Sequence, residues 1–265
     1  MRTLVHLSDL HFGRTDARLL EPLLSTVQEI GPDLVVISGD LTQRARRSQF
    51  REARAFLDRL PQPQIVVPGN HDVPLYDVLR RALRPLARYR RYITDELAPW
   101  YADEEIAIAG INTARSLTFK GGRINARQIE ALRRRLCPLP PKVVRIVVSH
   151  HPFDLPGDGD TRDLVRRAPL AMQMFASCGA DVLLSGHLHT GRVGDTAKRY
   201  PLGGYSAIVV QAGTATSTRV RGEGNSFNVV RVEPGRLTVT SRGWSEAAAG
   251  FVAGPEQAFS LKQRA

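Results

Sequence analysis

The sequence has few cysteines and no long apolar segment, and both absences narrow the class of protein. Its 265 residues include only Cys137 and Cys178, which lie far apart; we expect two thiols rather than a disulfide framework or a thiolate zinc site. No apolar run approaches the roughly 18 residues of a membrane span. Residues 3–7 already form a strand-like run, so we expect no signal peptide and predict a cytoplasmic protein.

The composition is that of a globular protein with a basic excess. Hydrophobic residues make up 42% and charged residues 24% of the chain, which is ample for a buried core. The length suits one large domain or two small ones. The sequence contains no internal repeat and no linker long enough to indicate separate domains. The net charge of +11 is compatible with an anionic partner, whether nucleic acid, phospholipid or a phosphorylated small molecule.

Short apolar runs alternate with amphipathic segments in the first part of the chain. Three buried strands are predicted, at residues 3–7, 34–37 and 65–67, with helices between them at residues 16–30 and 48–59. This order is typical of an α/β protein with a parallel sheet, where sites form at the carboxyl ends of the strands. From residue 207 onward the pattern changes to strands and tight turns, which predicts a second, partly antiparallel sheet.

Metal-binding side chains follow five predicted strands, namely the three above and two further apolar runs at residues 143–148 and 182–184. They are Asp9 with His11, Asp40, the run Gly69-Asn70-His71-Asp72, the pair His150-His151, and His187 with His189. Six of the seven histidines lie in these motifs, and only His6 falls within a strand, where a core role is the better interpretation. Nitrogen and oxygen ligands without sulfur suit divalent manganese, iron, cobalt, nickel or zinc. They are too many for one tetrahedral ion, so we predict two ions bridged by one carboxylate.

The ordered motifs D-x-H, G-D, G-N-H-D, H-x-P and G-H-x-H, which extend over residues 9–189, resemble the signature of the calcineurin-like metallophosphoesterases. The resemblance implies an α/β fold: a four-layer αββα sandwich of two mixed β-sheets flanked by helices, with a dinuclear metal site at the carboxyl ends of the strands. It also implies a metal-dependent phosphodiester hydrolase, in which a metal-activated hydroxide attacks phosphorus in line with the leaving oxygen. Manganese or iron is the first choice for the two ions, and zinc, cobalt and nickel are alternatives.

The resemblance assigns a role to each motif residue. Six match ligands of one metal or the other: Asp9, His11 and His189 for the first, and Asn70, His150 and His187 for the second. Asp40 matches the bridging carboxylate, and His151 is expected to lie behind the ligands. His71 matches a residue that faces the phosphate and acts as an acid or by its charge, and Asp72 is expected to orient it.

Basic residues elsewhere offer contacts for an anionic substrate. Arg115, Lys120 or Arg123 could hold a phosphate, because arginine grips phosphate oxygens in a planar fork. Residues 75–98 predict a helical segment broken at Pro85, with six arginines and no acid between them. This segment is either a basic cap that meets an anionic surface or a solvated helix face.

The limits of the domain and the class of substrate complete these expectations. We expect the catalytic domain over residues 1–246, with a small helical cap around 75–100, and a C-terminal tail over 247–265. The S-D-L-H-F-G start and the short cap look similar to class III cyclic nucleotide phosphodiesterases, which favours a cyclic nucleotide or another small phosphodiester. However, Phe153 stands where those enzymes often carry a second proline.

Other functions and partners stay open at this point. One alternative is a UDP-diacylglucosamine pyrophosphatase-like hydrolase of the lipid A pathway, whose basic helical segment would meet the membrane surface. The others are a DNA nuclease and a non-catalytic metal-binding scaffold. A homodimer is common among the relatives, and neither it nor a nucleic-acid partner is decided by the sequence.

Overall fold

The computed structural model describes residues 1–116, 121–155, 161–196, 199–219 and 223–261. Lys120, one of the expected phosphate contacts, lies outside these ranges. The strands are β1 (Arg2–Leu7), β2 (Leu34–Ile37), β3 (Gln64–Val66), β4 (Trp100–Ala102), β5 (Ile106–Ile111), β6 (Val144–Ser149), β7 (Val182–Ser185), β8 (Arg192–Asp195), β9 (Ile208–Gln211), β10 (Ser226–Glu233), β11 (Arg236–Ser245) and β12 (Gly250–Ser260). The α-helices are α1 (Leu20–Ile30), α2 (Arg47–Leu57), α3 (Val78–Leu83), α4 (Ala87–Tyr92), α5 (Ala126–Leu136) and α6 (Ala168–Cys178).

The strands form two six-stranded mixed sheets. The first has the order β12-β11-β10-β1-β2-β3, in which β1, β2 and β3 run parallel and β10 is antiparallel to β1. The second has the order β4-β5-β6-β7-β9-β8, with β5, β6, β7 and β9 parallel. The parallel strands of each sheet therefore end at the same edge, which is where the polar motifs follow them.

Side chains alternate between two faces along each strand, and each face has its own core. On β1, Leu4 packs between the sheets with residues such as Ile146 of the second sheet. Its neighbour Val5 packs on the other side, against Leu23 of α1. The outer face of the second sheet is covered by α5 and α6, where Phe175 belongs to a separate buried cluster. These layers confirm the predicted αββα sandwich of two mixed sheets flanked by helices.

The predicted helical cap consists of two six-residue helices, α3 and α4, on either side of Pro85. We expect a tail over residues 247–265, whereas Gly250–Ser260 of this stretch form the edge strand β12, hydrogen-bonded to β11. None of the helices in the described ranges has the length and apolar character needed to cross a membrane.

The two cysteines correct an expectation from the sequence, because Cys137 and Cys178 form a disulfide rather than two thiols. Cys137 directly follows α5, and Cys178 is the last residue of α6. The two helices pack side by side on the second sheet, so their carboxyl ends bring together residues that are 41 positions apart. Disulfides are uncommon in reducing compartments. This bond therefore does not support the predicted cytoplasmic location, which stays a prediction.

Candidate metal centre

Five loops meet at the carboxyl ends of the strands of both sheets. The strands deliver Asp9 and His11 (β1), Asp40 (β2), Asn70 (β3), His150 (β6), and His187 with His189 (β7). Backbone hydrogen bonds hold the loops together: the Asp9 amide donates to the Gly39 carbonyl at 3.1 Å, and the Gly186 amide to the His150 carbonyl at 3.1 Å. The predicted convergence of these motifs is therefore observed.

The potential ligand atoms form overlapping groups around one centre. In each of four sets of three residues these atoms lie within 4.8 Å of one another: Asp9/His11/His189, Asp9/Asp40/His150, His11/Asp40/His71, and His150/His151/His187. Asp40 Oδ2 lies 3.4 Å from His150 Nε2 and 3.7 Å from His11 Nε2, so this carboxylate stands between two groups. Asn70 Oδ1 lies 3.1 Å from His150 Nε2.

Unpaired buried atoms provide a test of whether these residues fit metal ions. Within the described ranges, Asp9 Oδ1, His11 Nε2 and His189 Nδ1 are buried and have no hydrogen-bond partner. Buried polar atoms are nearly always paired, because an unpaired one loses its hydration without compensation. The unpaired atoms belong to an N/O donor set that suits divalent transition metals. The residues present therefore fit the expected cations.

The backbone is unusual where it presents these side chains. Eight described non-glycine residues have positive φ, and five of them are expected ligands: Asp9, His11, Asp40, His187 and His189. Their φ values lie between 50° and 77°, in the left-handed region that L-residues rarely adopt. Such conformations persist where the surrounding structure enforces them, and they are concentrated at functional sites.

Two glycines allow the loops to approach one another closely. A Cβ atom on Gly69 would lie 2.1 Å from Asp40 Oδ1, and one on Gly186 would lie 1.8 Å from Ser8 Oγ. Gly69 does not require positive φ, since its φ is −103°. Close approach to Asp40 therefore explains this glycine.

The charges in the site favour a bound cation. Burial raises the pKa of Asp9 and of Asp40, but the neighbouring imidazoles outweigh burial and hold both carboxyl pKa values below their usual range. Burial lowers the pKa of His150, whereas the charges of Asp40 and Asp9 raise it, to about 9 overall. In the absence of metal the two carboxylates thus keep a proton on His150, which a metal ion must displace.

His71 is oriented by a backbone carbonyl. Its Nδ1 lies 2.9 Å from the Gln43 carbonyl oxygen, which only accepts, so Nδ1 carries the proton. Its Nε2 lies 3.0 Å from Nη1 of Arg219 and accepts that hydrogen bond. Burial, chiefly, lowers the pKa of His71 despite the opposing charge of Asp40.

Asp72, which we expect to orient His71, makes no hydrogen bond to that side chain; its donors are three backbone amides and one hydroxyl. It is fully buried and accepts hydrogen bonds from the Gly69, Leu41 and Thr42 amides, and from the Thr42 hydroxyl. Burial and then the charge of Asp40 raise its pKa to about 6. Asp72 therefore joins the loop after β2 to the loop after β3, which together carry Asp40 and Asn70.

The two remaining histidines lie beside the ligands. The His151 ring lies 4.8 Å from the His150 ring and 4.6 Å from that of His187, and its Nδ1 is 2.8 Å from Thr113 Oγ1. His6 is fully buried within β1, with Nε2 2.9 Å from Ser38 Oγ, and burial lowers its pKa to about 3. His6 is thus a core residue, as predicted.

A cavity of about 230 Å³ opens beside His71. Its lining residues are Gln43, Arg44, Asn70, His71, Val73, Leu75, Arg81 and Arg219. Of the expected phosphate contacts in the described ranges, neither Arg115 nor Arg123 lines it. Arg115 donates to the Ala114 carbonyl and the Gln128 side chain at the start of α5, and Arg123 is exposed.

Arg219 is the functional candidate that the sequence reasoning missed. It follows a serine- and threonine-rich run after β9, which holds the loop after β1: Thr214 Oγ1 donates to the Asp9 carbonyl at 2.8 Å, and Thr216 Oγ1 to the Leu10 carbonyl at 2.9 Å. A polar run at another strand end is a signal that could have drawn attention to it.

Comparisons with known proteins agree with this geometry. Residues 2–191 match the family model described as calcineurin-like phosphoesterase. A glycerophosphodiester phosphodiesterase of Enterobacter lignolyticus is 32% identical over 80 residues, which cover 26% of this chain and 29% of the relative. A cAMP/cGMP dual specificity phosphodiesterase of Mycobacterium tuberculosis is 29% identical over 286 aligned positions, covering 96% of this chain and 84% of the relative.

Solved structures share the fold. A dimetal phosphatase from Danio rerio superposes with a TM-score of 0.69 at 16% identity, covering 98% of this chain and 99% of that one. At this identity the likeness concerns the fold alone. The chain spans less than a third of the Enterobacter relative, although it spans most of the mycobacterial one.

Proposed function

We propose that this chain hydrolyses small phosphodiesters. It belongs to the calcineurin-like phosphoesterase family and is therefore a metallophosphoesterase. The observation that carries the proposal is the set of buried, unpaired ligand atoms around Asp40. The mycobacterial relative, whose name states cyclic nucleotide hydrolysis, supports a diester as the substrate class because it aligns over 96% of the chain.

Each ligand motif has a proposed place in a dinuclear centre. Asp9, His11 and His189 would hold one ion, Asn70, His150 and His187 the other, and Asp40 both. The position of Asp40 Oδ2 between His11 and His150 supports the bridging role. Two divalent ions, with manganese or iron as first choices, would supply hydroxide at neutral pH and neutralise the phosphate oxygens.

His71 is the proposed proton donor to the leaving oxygen. The Gln43 carbonyl occupies Nδ1, so Nε2 is the nitrogen that faces the substrate. Nε2 holds no proton while it accepts from Arg219, so it would first take one up from solvent and then give it to the leaving oxygen. Arg219 contacts that same nitrogen. We infer that a substrate phosphate oxygen takes over the Arg219 hydrogen bond, so that one guanidinium holds the phosphate and His71 Nε2 turns to the leaving group.

The test measures turnover on an aryl phosphodiester, the matching monoester and cyclic AMP, with added manganese and with chelator. We expect cleavage of the diesters that chelator abolishes. His71→Ala should keep its metal and lose about 10²–10⁴-fold in kcat, whereas Asp40→Ala should lose metal as well.

Three outcomes would contradict the proposal. Hydrolysis of the monoester alone would exclude the diester assignment. An active Asp40→Ala variant would exclude the bridging role. Metal-loaded protein without turnover on any of these substrates would favour a non-catalytic scaffold.

A further inference from the structure

Helix α3 has its polar side buried and its apolar side in solvent. Arg81 is its only buried residue, at 5% exposure, whereas Leu79 and Leu83 are each 72% exposed. At about 100° per residue, the two leucines point directly away from Arg81. A surface helix normally turns its apolar face to the core, so this helix is inverted.

Arg81 explains how α3 is held without an apolar contact face. Its Nε donates to the Ser116 carbonyl at 2.7 Å, and its Nη1 to the Pro74 carbonyl at 2.9 Å. Burial lowers the pKa of this guanidinium. The hydrogen bonds fix the orientation of the helix, and the outward direction of the leucines follows from it.

Four exposed apolar side chains lie close together in the chain, in α3 and just before it, and we call this group the apolar ridge. It consists of Tyr76, Val78, Leu79 and Leu83, each more than 70% exposed. The described part of the chain exposes seven large hydrophobic side chains, and four of them lie in these eight positions. Single exposed apolar side chains are ordinary, but several within one short segment indicate an interaction surface. The ridge adjoins the cavity beside His71, which Leu75 and Arg81 line.

We propose that the apolar ridge inserts into the surface of an anionic phospholipid bilayer. Residues 75–92 contain six arginines and a single acid, Asp77, and Arg84 and Arg90 are exposed. An apolar face with a basic border is the pattern of segments that lie at the lipid–water interface. The exposed arginines, of which Arg84 directly follows Leu83, complement the negative headgroups.

A second copy of the chain fits the ridge less well. A two-fold interface would bring the same arginines of both copies together, and like charges repel. Four side chains also present roughly 500 Å² of surface, whereas a stable interface covers about 800 Å² on each partner.

The position of the ridge suggests what docking would achieve. A bilayer bound there would place the metal centre next to phosphoesters carried by lipids at the membrane surface. This consequence rests on the proposed hydrolytic function, whereas docking itself does not.

Vesicle flotation of the full chain tests docking directly. We expect the protein to float with vesicles of phosphatidylcholine plus phosphatidylglycerol, less with phosphatidylcholine alone, and less at high salt. Leu79→Ser with Leu83→Ser should weaken binding by about tenfold for each leucine. The control is Leu170→Ser on α6, which also removes an exposed leucine, at 54% exposure, and should bind as wild type.

A second readout guards against a misfolded variant. In Leu79→Trp, an indole in the ridge should shift its fluorescence to shorter wavelength on anionic vesicles. Turnover of the soluble aryl phosphodiester should be unchanged in the double serine variant, so loss of docking and loss of the proposed activity are told apart.

The proposal is overturned if wild type does not float, or if the double variant floats equally well. It is also overturned if wild type is a dimer in solution that the two serines dissociate, since the ridge would then bind a second copy.

Discussion

Replacement of Asp72 by asparagine tests how the metal centre is held in place. The carboxylate accepts from the Gly69 amide at 2.9 Å, the Leu41 amide at 3.2 Å, the Thr42 amide at 2.9 Å and the Thr42 hydroxyl at 3.0 Å. Leu41 adjoins Asp40 and Gly69 adjoins Asn70 in the chain. These bonds therefore fix two proposed ligands relative to each other.

The size of the effect follows from the donors left without an acceptor. Asparagine keeps one oxygen, while its NH₂ group would face two buried N–H donors. Each unpaired donor costs about 1–3 kcal/mol. Removal of a buried carboxylate near Asp40 offsets part of this cost, so we expect a net loss of about 2–4 kcal/mol, against a typical total of about 5–15 kcal/mol.

Asp72 either joins the two ligand loops or orients His71. Chemical denaturation, metal content and kcat, measured on Asp72→Asn, decide between these roles. We expect lower stability and lower metal occupancy together, whereas His71→Ala should lower kcat alone. Thr42→Val, which removes one of the four donors to Asp72, should show a smaller loss. Wild-type stability and full metal in Asp72→Asn, with a kcat as low as that of His71→Ala, would refute this reasoning and return Asp72 to the orientation of His71.

Three further predictions concern the close approach at Gly69, the proton on His150 and the disulfide. Gly69→Ala places a Cβ 2.1 Å from Asp40 Oδ1 and should cost about 1–3 kcal/mol and reduce metal content, whereas Gly121→Ala, with open space around its Cβ, should do neither. The raised pKa of His150 stabilises the metal-free protein; this contribution is fully present below pH 6.5 and is lost as the pH rises through about 9. We therefore expect the denaturation midpoint of chelated protein to fall over this pH range. A midpoint that stays unchanged between these pH values would contradict the prediction. Reduction of the Cys137–Cys178 disulfide, which closes a loop of 41 residues, should lower the free energy of unfolding by about 4 kcal/mol. The control is Cys137→Ser with Cys178→Ser, which should melt at the same temperature with and without reductant. A wild type whose melting temperature does not respond to reductant would argue against the bond.

The fold class and the convergence of the strand-end residues could be predicted from the sequence because both depend on local patterns. Each motif stands within a few residues of a short apolar run, and parallel strands necessarily end at one edge of their sheet. The start of α5 is also encoded locally, because the Asn125 side chain accepts a hydrogen bond from the Gln128 amide and caps the helix.

Contacts between distant segments were decided only by the tertiary structure. His71 is oriented by Gln43, 28 positions away, and Arg219 reaches it from 148 positions away. The pattern of α3 does not tell which face is buried, because that depends on the carbonyls of Pro74 and Ser116 that receive Arg81. Likewise, only the packing of α5 against α6 brings the two cysteines together. Strand-end chemistry is encoded by neighbours in the chain, whereas the partners of each group depend on how the loops and helices meet in space.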